Sequence, residues 1–181
     1  MVTDRSGKVV IIGLDGATLD LLRPWASQGD LPNLATYFEE GCYGILRSTI
    51  PPVSPQAWAS FQTGMNPGKH GIYGFKFLDL NRQGYVLASS VSMSGQPFWR
   101  ILSNAGHQVT VINLMPSFPP NPVNGFLITD RMTPPGARYT FPPELAKEIE
   151  TKVGGYIIDI DEGRYLPNRE INEVNFLEWA K

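Results

Sequence analysis

Val9-Val10-Ile11-Ile12-Gly13-Leu14 is an unbroken aliphatic run that stops at Asp15, and it narrows the fold more than any other stretch of the chain. A strand with one face in water alternates apolar and polar residues. A continuous run instead suits a strand covered on both faces, as in a parallel sheet with helices above and below it. The chain downstream supplies such helices. Thr18–Ser27 carries Leu19, Leu22 and Leu21, Trp25 at helical spacings, and Leu31–Glu40 reads as a second helix with Pro32 in its first turn and Gly41 as its stop. Tyr43–Thr49 reads as a strand.

Pro51-Pro52-Val53-Ser54-Pro55 then opens a helix that closes on Gly64, with Ser54 at the N-cap and Pro55 at the first helical position. Asn66–Gly74 is loop-like. A helix over Pro97–Ala105 stops at Gly106, the strands His107–Leu114 and Phe126–Thr129 flank an irregular Pro116–Pro122 loop, and a helix over Pro143–Val153 ends on Gly154-Gly155. Tyr156–Ile160 reads as a strand, and Ile171–Lys181 as a last helix containing Trp179. Strands alternating with helices predict an α/β fold, with a mostly parallel central sheet flanked by helices in one domain over residues 1–181. The last helix meets no stop signal. The expectation is therefore the N-terminal portion of something longer, with an uncovered edge or apolar face that favours self-association.

Composition excludes several classes of function. Fifteen basic and 17 acidic residues give a net charge of −2 with no basic stripe, so a duplex nucleic acid is not an expected partner. No apolar run approaches the ~18–20 residues of a membrane span, and no apolar stretch follows the first charges as in a secretory signal. Cys42 is the only cysteine and has no internal partner for a disulfide, which points to a reducing cytoplasm. Eighteen glycines and 16 prolines imply a loop-rich chain, well short of low complexity.

Two residues carry the chemistry. Asp15 follows the first run directly, and ligands of open α/β sheets bind outside the carboxyl ends of strands. That carboxylate is a metal ligand or general base, or else it caps a turn. Ser54, at a helix N-terminus, lies beside unpaired backbone N–H groups and the positive end of the helix dipole, where a phosphate is favoured. It is a nucleophile in waiting or an ordinary N-cap. A serine needs a base or a metal to attack at neutral pH, and a metal held by Asp15 would supply that activation.

Other features lead nowhere. Gly64-Met65-Asn66-Pro67-Gly68-Lys69-His70 imitates a P-loop but has three residues between its glycines where four are required, and His70 where Ser or Thr would bind magnesium. His70 reads as a turn residue, His107 as structural and Cys42 as a core residue. Asp130, at the carboxyl end of a strand, is a further candidate for the pocket.

Taken together, Val9-Val10-Ile11-Ile12-Gly13-Leu14-Asp15-Gly16-Ala17 and the segment from Pro51 through Ser54-Pro55-Gln56-Ala57-Trp58 to Gly64-Met65-Asn66-Pro67-Gly68-Lys69-His70-Gly71-Ile72 resemble a known family. It is the type I phosphodiesterase/nucleotide pyrophosphatase family of the alkaline phosphatase superfamily, and the likeness is to its microbial phosphohydrolase/phosphomutase branch. The resemblance implies an alkaline-phosphatase-like fold and metal-dependent hydrolysis of phosphate esters, with a small phosphate ester or nucleotide as substrate. It implies that Asp15 ligates a divalent metal, zinc or alternatively manganese. It implies that Ser54 contacts that metal and attacks phosphorus to form a covalent intermediate. Phe75 stands where nucleotide pyrophosphatases carry an asparagine that holds a phosphate oxygen. The family's further Asp and His ligands lie C-terminal to the matched part, which leaves a second reading: a non-catalytic homologue that binds a phosphate ligand or a partner.

Overall fold

Glycine and proline punctuation decides where the helices of this chain begin and end. The computed structural model describes residues 7–79 and 83–158. The chain divides between Ser48 and Thr49 into two compact units. In the first, helix α1 (Leu19–Gln28) is capped by Thr18, whose Oγ1 accepts from the Asp20 N–H at 3.4 Å, and Gly29 closes it in the left-handed conformation at φ 89°. Helix α2 (Pro32–Glu40) starts on Pro32 and stops at Gly41. The two helices pack together. Behind α2, Tyr43 meets Phe38 edge-on at 5.2 Å and lies under the Arg23 guanidinium.

The second unit carries the sheets. Helix α3 (Ser54–Thr63) ends on Gly64 at φ 66°, and the single turn α4 (Pro67–His70) ends on Gly71 at φ 79°. Strands β1 (Lys76–Asp79) and β2 (Gly84–Leu87) form an antiparallel hairpin, in a stretch for which periodicity assigns no element. Helix α5 (Phe98–Asn104) leads into β3 (Val109–Ile112), which pairs in parallel with β4 (Gly125–Ile128). Strand β5 (Thr140–Phe141) adds to β4 in the antiparallel sense, and helix α6 (Leu145–Val153) follows, closed by Gly154. The sheet order is β3-β4-β5. The fold is mixed α/β, and its parallel pairing among the described residues is β3 with β4.

Two small cores hold this unit. Trp99 of α5 packs with Val111 and Leu127 of the sheet, flanked by Phe98, Leu114 and Phe141. Ala59 of α3 packs with Ile72, Ala88, Met93 and Met132. Helix α3 is joined to α5 through Phe61, whose ring meets Phe98 edge-on at 5.7 Å.

Four expectations need correction. Val9–Leu14 forms no strand, and its side chains are exposed, Val9 at 83%. Tyr43–Thr49 forms none either, with Ile45 at 91%. An aliphatic run becomes a strand only when a neighbour completes its ladder, and no described strand pairs with either run. Cys42 is exposed rather than packed in a core, because the segment it opens has no covering layer. Residues 156–158 are not in a strand, and the rest of that expected strand and the helix with Trp179 lie outside the described residues.

Candidate functional site

Ser54 is the first residue of α3 rather than its cap. Val53 takes the cap position with extended backbone at φ −105°, ψ 132°, and Pro55 occupies the first turn, where its missing N–H costs nothing. The half-buried Ser54 hydroxyl makes no hydrogen bond among the described residues. Capping therefore does not account for it. By helix geometry the Ser54 and Gln56 N–H groups have no acceptor within α3, so the hydroxyl stands where a helix favours anions.

The turn before Ser54 is tightly built. The Pro51 carbonyl oxygen accepts three hydrogen bonds, from Val53 N at 3.0 Å, Thr49 Oγ1 at 3.1 Å and Gln56 Nε2 at 3.2 Å. Gln56 Nε2 also donates to the Ile50 carbonyl at 3.2 Å. Gln56 is buried, and its Oε1 has no partner.

His70 closes the segment and is fully buried. Its Nδ1 accepts from the Ile72 N–H at 3.1 Å, and its Nε2 lies 2.9 Å from Ser60 Oγ. A nitrogen that accepts a backbone N–H carries no proton, so in the neutral ring the proton is on Nε2 and is donated to Ser60. The pair has the outline of a serine–histidine dyad with the wrong tautomer for one, since the imidazole gives Ser60 a proton instead of taking one. Burial holds the His70 pKa below the usual imidazole range, which keeps the ring neutral. The turn role read from the sequence is the one the geometry supports.

Asp130 does lie at the carboxyl end of β4, fully buried, yet both its oxygens are engaged. Oδ2 accepts from Ser117 N at 2.6 Å, Ser117 Oγ at 2.9 Å and Phe118 N at 3.3 Å, and Oδ1 accepts from Met132 N at 2.8 Å. The carboxylate organises the 115–118 loop. That loop is tied to α3 by Gln62, whose Nε2 donates to the Met115 carbonyl at 3.0 Å. Asp130 is thus a structural anchor, and sequence reasoning missed the two glutamines because an amide has no titration signature.

Asp15 belongs to the first unit. It lies in a turn before α1, exposed and without a hydrogen bond or ion pair among the described residues. Its oxygens, like the Ser54 hydroxyl, are uncommitted. A catalytic zinc takes three protein ligands and a water. Among the described residues no three His, Cys, Asp or Glu side chains gather into such a set. Asp15 and Ser54 are uncommitted oxygen donors, one in each unit.

The second unit thus presents a hydroxyl at the head of a helix, on a turn held by neighbouring side chains, within a mixed α/β framework. The type I phosphodiesterase/nucleotide pyrophosphatase family model matches residues 9–177, and the chain belongs to that family. No curated protein and no solved structure matches it. The family acts on small phosphate esters by hydrolysis. Among the described residues no helix is long and apolar enough to cross a membrane.

Proposed function

We propose that this chain hydrolyses phosphate esters by double displacement, with Ser54 as the nucleophile. One observation carries the reading: in a family of phosphoesterases, Ser54 is a hydroxyl at the first turn of a helix that neither caps the helix nor bonds elsewhere among the described residues. The Ser54 Oγ–P bond forms as the P–O bond to the leaving alcohol breaks. The hydroxyl proton leaves with the alcohol, and water then cleaves the phosphoserine. The N–H groups at the start of α3 stabilise the phosphoryl oxygens in both steps. Zinc or manganese, with Asp15 and Ser54 among its ligands, belongs to this reading as the family's expectation. A cytoplasmic setting and a small phosphate ester or nucleotide as substrate belong to it in the same way.

Turnover of an aryl phosphate diester and the matching monoester, with zinc or manganese added, tests the proposal beside Ser54→Ala. The expected result is metal-dependent hydrolysis that drops about a thousandfold or more in the variant, with phosphate trapped on Ser54 by rapid acid quench. Folded protein with no turnover above Ser54→Ala would favour the second reading, a non-catalytic module that binds a phosphate ligand or a partner. The lack of a three-ligand cluster among the described residues is the observation on that side.

A further inference from the structure

We propose that Gln56 is the positioning residue for Ser54, acting through the carbonyl oxygens of Ile50 and Pro51. The inference rests on Ser54 being the nucleophile. The Gln56 amide uses both its protons on those two carbonyls, each at 3.2 Å. Turning the amide over would set Oε1 against two acceptors, so the carbonyls alone fix which end faces the turn. The opposite end is then left buried with no partner.

A buried amide oxygen without a donor is unfavourable. An apolar side chain of similar volume would fill the same space without that cost. What it could not do is hold the turn. The 50–53 segment approaches α3 through an extended Val53, and the backbone angles of residues 53 and 54 set the direction of the Ser54 Cα–Cβ bond. Gln56 lies two residues beyond Ser54 and grips the chain three and four residues before it, so Ser54 sits inside the loop that Gln56 closes. Thr49 Oγ1 and Val53 N bond to the same Pro51 oxygen, which makes that atom the pivot of the turn. Fixing the turn fixes the hydroxyl before substrate arrives, and misplacement of an attacking group by about 1 Å can lower a rate about a hundredfold.

The test uses Gln56→Met, which keeps the volume and removes the donors, with Thr49→Val as a second variant that removes a different donor to the same carbonyl. Amide hydrogen exchange is read at Val53, in the turn, and at Gly64, whose N–H closes the far end of α3 on Ser60. In Gln56→Met, Val53 should exchange about tenfold faster or more while Gly64 is unchanged. Kinetics with the aryl phosphate diester and added zinc should show kcat falling about tenfold or more with KM within about twofold. Thr49→Val should move both readouts in the same direction by less, and it serves as the deciding variant if Gln56→Met does not fold. A general loss of stability would accelerate Val53 and Gly64 together, and that result overturns the proposal. So does an unchanged Val53, or a kcat unchanged in a variant whose Val53 is released. Ser54→Ala runs in parallel: if it retains wild-type turnover, the nucleophile reading fails, and the exchange measurement alone decides whether Gln56 holds the turn.

Discussion

Removing the Ser54 hydroxyl separates chemistry from folding, because the turn around it is held by Thr49, Gln56 and Val53 rather than by Ser54 itself. A capping serine replaced by alanine costs about 1 kcal/mol. Ser54→Ala should change stability by less than about 0.5 kcal/mol, as at sites without a special role in the fold, while abolishing turnover; urea unfolding beside the kinetic assay checks both. Asp130 behaves oppositely. Asp130→Ala leaves the N–H groups of Ser117, Phe118 and Met132 without their acceptor, and a loss of about 3 kcal/mol or more is expected in urea unfolding. His70 gives a pH signature. Its folded pKa lies below the unfolded value of about 6.5, so as pH falls through that value the unfolded chain takes up a proton that the folded ring refuses. Stability is therefore full above about pH 6.5 and declines as pH falls toward the lowered native pKa. The urea midpoint of the wild type should drop between about pH 7 and pH 5, and His70→Gln should flatten that drop.

At the scale of elements, the helices were legible because their ends are written in single residues: Thr18 before α1, Gly41 after α2, Gly64 after α3, Gly154 after α6. Strands β3 and β4 were legible from their aliphatic runs, though not their pairing with each other. The β1–β2 hairpin was not, since all its apolar residues but Val86 are exposed, and β5 is too short to show a period. The run ending at Asp15 misled for a physical reason: composition reports a preference for burial, whereas a strand also needs a partner. Of the two residues singled out for chemistry, Ser54 does stand at the start of a helix, whereas Asp15 stands in a turn because the strand expected before it does not form. Gln56 could not be singled out, because its task depends on which carbonyls the fold brings to it. One strand position carries a sharp expectation. Gly125 has φ 134° and faces Val109 across the parallel pair, so closely that a Cβ would collide with the Val109 carbonyl. Gly125→Ala should cost about 3 kcal/mol or more, combining backbone strain with a steric clash, and should show as a lowered thermal midpoint.

The described residues expose many large apolar side chains, in a chain with a net charge of only −2. Val9, Val10, Ile12, Ile45 and Leu46 are each at least 80% exposed. Exposed apolar side chains in such number favour association, and little charge repulsion opposes it. The chain should elute from size exclusion as species larger than a monomer whose share rises with concentration, and Ile12→Lys with Ile45→Lys should shift it toward the monomer. A clean wild-type monomer at high concentration would contradict this. The burial of His70 reaches the whole molecule in another way. The chain has two imidazoles, one sealed in the interior with both nitrogens engaged and the other, His107, in contact with solvent. Carbethoxylation should consequently stop at a single adduct on native protein and reach two only as the fold opens, so that a histidine reagent doubles as a counter of unfolded molecules.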